Sequence, residues 1–175
     1  MRKIWMPIVA VLLAAVLLLV IYNVTFGVRQ SKAERELKEK MATLLPGSTN
    51  FEEEEYTGED STIEFIYKGE TGYVIGTVTA GYAGSIKMLV GVNNDGLVTG
   101  VQVRQMTETF GLGANALYDW EFLAQFLNTD GNATVGEDID AISGATVTSK
   151  AIARSVNSAV GYVTGSDADS GATSW

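Results

Sequence analysis

Cysteine is absent from the 175 residues, which excludes disulfides, thiolate catalysis and cysteine-ligated metal clusters. Histidine is absent too, and with it go the commonest general base near neutral pH, histidine-held haem and the usual zinc sites. Redox chemistry in this chain therefore requires an organic cofactor. Basic residues are few: 12 Lys and Arg stand against 21 Asp and Glu, for a net charge of −9. Nucleic-acid binding needs a concentrated basic surface, and none is evident. The acidic balance reads equally as solubility and as steering of a redox partner. The length suits one compact domain with appendages.

Charge is missing altogether from residues 4–22, and the apolar character continues to Val28. A bilayer core takes about 20 helical residues, so this run is expected to span one. A cleavable signal is the rival reading, but the run is long for a signal and no Ala-x-Ala site precedes Arg29. Residues 1–28 are therefore expected to be an uncleaved transmembrane anchor. Arg29, Lys32, Arg35, Lys38 and Lys40 outnumber Arg2 and Lys3, so a positive-inside count places the rest of the chain in the cytoplasm. Residues 30–45 read as an amphipathic helix with Ala33, Leu37, Met41, Leu44 and Leu45 on one side, ended by Pro46 and Gly47. This helix makes residues 29–47 a linker. The acidic run 52–55 reads as a solvated linker edge in preference to a partner contact.

Four strands are expected over 62–67, 73–79, 86–92 and 97–103, each rich in β-branched or aromatic residues and bounded by turn formers. Lys68-Gly69 and Asn93-Asn94-Asp95-Gly96 supply short turns, which imply antiparallel neighbours. The fold class is α+β: a transmembrane helix, then an antiparallel sheet whose exposed face the later helices cover. Gly111, Gly113 and Ala116 imitate a dinucleotide fingerprint, but a Rossmann motif opens a βαβ unit and this one follows hairpins. That reading is rejected. A helix holding Leu117, Trp120, Phe122, Leu123, Phe126 and Leu127 follows the glycines.

Asp140, Ser143, Gly144, Ala145 and Thr146 form a compact motif directly before a helical pattern of Ala151, Ile152, Val156, Ala159, Val160 and Val163. Gly144 takes backbone angles other residues avoid and Ala145 adds little bulk, so a macromolecule has a clear approach to the Thr146 hydroxyl. A helix N-terminus also welcomes an anion. An ordinary N-cap explains the same residues by local pattern alone. The motif, however, matches completely the Asp-x-x-Ser/Thr-Gly-Ala-Thr signature at which a flavin transferase attaches FMN to bacterial FMN-binding domains. By that resemblance Thr146 carries FMN through a phosphoester and Asp140 contributes to transferase recognition. Ser143, Gly144 and Ala145 complete the signature, and Thr148 and Ser149 are expected to satisfy the phosphate charge.

Two further segments resemble the same family. Glu108, Thr109, Gly111, Leu112 and Gly113 match a Glu-Thr-x-Gly-Leu-Gly loop that lies near the flavin, with Phe110 where relatives often have Pro. Gly81, Tyr82 and Gly84 match its Gly-Tyr-x-Gly turn. The resemblance runs from about Leu44 to Val163 and is greatest to the G subunit of the Rnf electron-transport complex, with the C subunit of the sodium-translocating NADH:quinone reductase close behind.

It implies a covalent FMN, no metal, and electron relay in an ion-translocating ferredoxin:NAD oxidoreductase, without independent substrate turnover. The implied partners are the other membrane subunits and, during maturation, the flavin transferase. It also implies a domain over 48–165 outside the cytoplasmic membrane, against the positive-inside count, and that location is the expectation adopted. A stand-alone extracytoplasmic FMN carrier is an alternative within the class. The alternative of another class is a flavin-free membrane-anchored binding module, which yellow colour and flavin fluorescence would rule out. Residues 166–175 form a polar tail in which Asp167, Ser170, Gly171, Ala172 and Thr173 repeat the signature with no helix after it. This copy is read as a coincidence of composition, so one FMN is expected, with double modification as the alternative.

Overall fold

The computed structural model of the protein describes residues 5–107 and 119–166. Its contacts divide the chain into residues 1–39 and 40–175. The first part contains most of α1 (Trp5–Leu44), one helix where the sequence suggests an anchor followed by a linker helix. Within α1 the apolar side chains of residues 11–22 are exposed. Among the described residues no helix is long and apolar enough to cross a membrane.

In residues 40–175 the chain forms a five-stranded meander: β1 (Glu52–Glu54), β2 (Ile63–Lys68), β3 (Gly72–Ala80), β4 (Ser85–Asn93) and β5 (Val98–Met106). The strands lie in sequence order and every pair is antiparallel. Four of them fall where alternation and turn chemistry place them. The β4–β5 turn shows why: Asn93 Oδ1 accepts the N–H groups of Asp95 and Leu97 at 3.0 and 2.8 Å, and Gly96 takes φ +80°. β1 corrects the reading of 52–55 as a linker edge. Glu52 pairs with Lys68, Glu53 with Tyr67 and Glu54 with Ile66, and all three Glu side chains are exposed. A short, charged edge strand resists pairing with a foreign strand.

Because side chains alternate across a strand, the sheet has two faces to cover. One bears Ile66, Ile75, Met88, Val90 and Val92 and forms a core with Ile152, Val156, Ala159 and Val160 of the long final helix, together with Phe122 and Phe126. The helical cover expected from the sequence is present. On the other face, Gly91 and Gly100 stand opposite each other in the β4–β5 ladder. A Cβ at Gly91 would strike the Leu44 carbonyl oxygen, and one at Gly100 would lie 2.8 Å from Leu44 Cδ2. The two glycines thus admit the end of α1, where Met41, Leu44 and Leu45 are buried as their spacing predicts. Thr99 Oγ1 donates to Leu44 O at 2.6 Å and fixes the seat.

Just beyond, the Glu70 carboxylate accepts the Thr49 N–H at 3.0 Å and the Asn50 side-chain amide at 3.0 Å. Its own N–H, then the Asn50 amide and the neighbouring N–H groups, hold its pKa down to about 2.

The remaining elements are α2 (Trp120–Ala124) and α3 (Thr146–Thr164). α2 is shorter than the apolar run suggests. Asp119 caps it by accepting the Phe122 N–H at 2.9 Å, and Asn128, at φ +63°, lies just beyond its closing turns. Phe122 and Phe126 are buried with their rings edge to face at 5.4 Å, whereas Trp120 and Leu127 are exposed. α3 lies along the sheet. Near one end Thr79 Oγ1 donates to Ala151 O at 3.2 Å and meets Ser155 Oγ at 3.0 Å; at the other, Gly96 packs against Thr164. Its first residues therefore lie toward the end of the sheet that carries the β3–β4 turn.

Candidate functional site

The motif at the start of α3 folds into a single turn. Gly144 has φ +75°, a left-handed value that a side chain would strain, and it lets the Ala145 N–H reach Ile142 O at 2.9 Å. Ala145 is the N-cap residue, with φ −130° and no side-chain capping bond. Thr146 is the first residue of the helix, and its side chain is exposed. The capping explanation therefore does not hold: neither Ser143 nor Thr146 occupies the N-cap. The Ser149 N–H makes the first helical bond, to Ala145 O at 2.9 Å, so the N–H groups of Thr146, Val147 and Thr148 precede the helical ladder. No acidic residue lies in the first turn. Such a helix start attracts an anion by its aligned N–H groups and its dipole.

Thr148 and Ser149 stand elsewhere than the resemblance suggests. They are 1 % and 0 % exposed. Ser149 Oγ donates to Ala145 O at 3.0 Å and accepts the Ile142 N–H at 3.1 Å. Its hydroxyl is committed to the inside of the turn and acts as a clasp from below, while Thr146 faces outward. Asp140, Ser143 and Gly144 are exposed and Ala145 is buried, so one rim of the turn is open to a macromolecule.

The start of the motif is held from outside by a residue the sequence reading missed. Gln125, just past α2, accepts the Asp140 N–H on Oε1 at 2.8 Å and donates from Nε2 to Asp140 O at 3.4 Å. Asn157 holds another loop in the same manner, accepting the Ala133 N–H at 3.1 Å and donating to Ala133 O at 3.0 Å. No local pattern marks either amide, since each partner lies 15 or 24 residues away.

At the same end of the sheet the β3–β4 turn closes with the Gly81 N–H on Gly84 O at 2.7 Å and leaves Tyr82 exposed. Gly84 packs on Thr107, where a Cβ would come within 2.6 Å of the carbonyl oxygen. Thr107 leads into residues 108–118. Glu108, Thr109, Gly111, Leu112 and Gly113 lie outside the described residues, as do Leu117 and the second signature copy ending at Thr173.

A cavity of about 480 Å³ lies toward the other end of α3, lined by Glu54, Tyr56, Glu59, Asp60, Ser158 and Tyr162 among others. Tyr162 donates to Glu54 at 2.9 Å; burial first, then this bond and the Glu54 charge, push its pKa up to about 12. Burial raises Asp60, but the Thr62 N–H, the hydroxyls of Ser158 and Thr62 and the Arg154 charge outweigh it and hold the carboxyl below its usual value.

The family model of the FMN-binding domain matches residues 81–161. The G subunit of the ion-translocating oxidoreductase complex of Methanosarcina acetivorans is 35% identical over 164 residues, 86% of this chain and 87% of that one. The chain belongs to the FMN-binding G-subunit family. Two further members are the G subunits of the proton-translocating ferredoxin:NAD(+) oxidoreductase complex of Clostridium ljungdahlii, 42% identical, and of the Na(+)-translocating complex of Acetobacterium woodii, 37% identical. These matches cover 53% and 51% of this chain and 53% and 47% of the relatives, so they span about half the length of each. The matched family domain begins at the Gly81 turn and runs through the Thr146 turn into α3, so both sequence landmarks fall inside it. FMN is the cofactor of this domain family, and the exposed Thr146 hydroxyl, beside N–H groups that precede the helical ladder, fits a phosphate ester.

Proposed function

We propose that this chain is a membrane-anchored flavoprotein subunit that carries FMN covalently on Thr146 and relays electrons in an Rnf-type ion-translocating ferredoxin:NAD oxidoreductase complex. The observation that carries the reading is the position of Thr146: exposed, first in α3, after an N-cap with no side-chain bond, at the end of a complete signature. When bound, FMN supplies one- and two-electron chemistry to a chain that has neither cysteine nor histidine. The chain's own contribution is placement. The helix start balances the single negative charge left on the phosphodiester. Gly144 and Ala145 keep the approach to the hydroxyl free of bulk, and the Ser149 clasp keeps the turn in shape.

Co-expression with a flavin transferase followed by intact-mass measurement tests the reading. One FMN-phosphoryl addition is expected, lost in Thr146→Ala. An adduct that survives Thr146→Ala and disappears in Thr173→Ala would move the site to the tail.

The uncharged run 4–22 supports an anchor, and the resemblance supports a domain outside the cytoplasmic membrane, where a covalent bond prevents cofactor loss. Protease added to intact protoplasts should then digest the domain. Protection until lysis would restore the orientation given by the positive-inside count.

A further inference from the structure

The bracket at Asp140 joins the end of α2 to the start of the signature, 15 residues further along the chain. Gln125 sits at the end of α2, which Phe122 and Phe126 anchor in the core. Its planar amide meets both the N–H and the carbonyl of Asp140. Only a neutral amide offers an acceptor and a donor together in that arrangement; a carboxylate lacks the donor and an ammonium or guanidinium lacks the acceptor. Gln125 is half-buried and Asp140 exposed, so these two bonds add little to overall stability. What they do fix is the position of Asp140 relative to Thr146. Ser149 fixes the other side of the same turn from within.

We propose that Gln125 is a positioning residue for the modification of Thr146, holding the acidic end of the signature in the register that the attaching enzyme reads. The inference rests on Thr146 being the acceptor of FMN. The attachment step needs an activated flavin phosphate, because a phosphomonoester offers no leaving group; a flavin adenine dinucleotide provides one. Thr146 Oγ1 forms a bond to the phosphorus of the FMN half, the anhydride P–O bond breaks, AMP leaves and the hydroxyl proton passes to a base. Nothing is oxidised or reduced. Gln125 touches none of these atoms and acts through the Asp140 backbone.

The test uses the full chain in detergent with purified flavin transferase and flavin adenine dinucleotide, following FMN incorporation by intact mass at varied chain concentration. Gln125→Met keeps the length and packing of the side chain and removes both bonds. It should lower kcat/KM of the transferase about tenfold through KM, the loss expected from one displaced hydrogen-bonded contact. The unfolding midpoint should stay near wild type, and the Asp140 amide should exchange faster with deuterium. Gln125→Glu keeps the acceptor and loses the donor, and should fall between the two. In an Asp140→Asn background Gln125→Met should cause little further loss.

A folded Gln125→Met chain modified at the wild-type rate would overturn the proposal, as would an undiminished tenfold loss in the Asp140→Asn background. If instead the adduct persists in Thr146→Ala, the acceptor reading fails. Loss of the adduct in Thr146→Ala together with normal Gln125→Met kinetics would refute the bracket alone.

Discussion

Replacing Ser149 by alanine separates two roles for one hydroxyl, a clasp within the turn and a ligand of a bound phosphate. In the structure Ser149 Oγ is fully buried, accepts the Ile142 N–H at 3.1 Å and donates to Ala145 O at 3.0 Å. Ala145 O keeps a partner without it, because the Ser149 N–H bonds the same oxygen at 2.9 Å. The Ile142 N–H loses its acceptor in a half-buried turn, which costs about 1–2 kcal/mol. For a domain of this size that lowers the unfolding midpoint by roughly 4–8 °C.

A clasp acts whether or not FMN is attached, and a phosphate ligand acts only when it is. Thermal unfolding of the wild type, Ser149→Ala, Thr146→Ala and the double variant, each from cells containing flavin transferase, therefore forms a cycle. The clasp requires the Ser149→Ala cost to be the same on both backgrounds, within the ~0.5 kcal/mol over which independent changes add. A cost that appears only when Thr146 carries flavin would refute the clasp and return Ser149 to the phosphate.

Two further expectations follow from packing and titration. Gly91→Ala places a Cβ against the Leu44 carbonyl and should cost about 1–3 kcal/mol in chemical denaturation; Lys87→Ala, which removes the half-exposed 2.8 Å ion pair with Glu64, should cost less than ~1 kcal/mol, and equal effects would contradict the seat assigned to α1. Tyr162 has a pKa raised from 10.0 to about 12, so its neutral form contributes stability that is complete below pH 10 and is lost as pH rises to about 12. Tyr162→Phe should remove a phenolate step near pH 12 from the ultraviolet titration of the folded protein; loss of a step near pH 10 instead would show that burial and Glu54 do not hold this phenol neutral.

What the sequence made legible was whatever has a short period or a local cause. β2 to β5 alternate and end in turns whose glycines and asparagines have specific backbone work to do, so their limits were readable to within a few residues. Met41, Leu44 and Leu45 announced a buried helix face for the same reason, although not that Gly91 and Gly100 had left room for it. β1 was not legible, because three glutamates have no intrinsic preference for a strand; pairing with Lys68, Tyr67 and Ile66 imposes it. α2 was overextended because Phe126 and Leu127 continue the apolar pattern past Ala124, where the backbone closes in turns.

The site divides along the same line. Gly144 and the start of α3 were legible because a glycine before a helical pattern is a local signal, whereas Thr146 was singled out by the resemblance, since the local pattern alone reads the same residues as an N-cap. Ser149 was assigned to the phosphate because a serine in the first helical turn has two possible targets, solvent-side anion or turn backbone, and only its burial chooses between them. Gln125 and Thr79 had no signal at all: each acts on backbone or side chain at least 15 residues away, at a distance set by the packing of α2 and α3 on the sheet. The local turn at the start of α3 was therefore readable from the sequence, whereas the side chains that hold it from a distance belong to the fold. It follows that substitutions at Gln125, Ser149 and Thr79 test the register of the site, whereas Thr146→Ala tests its chemistry.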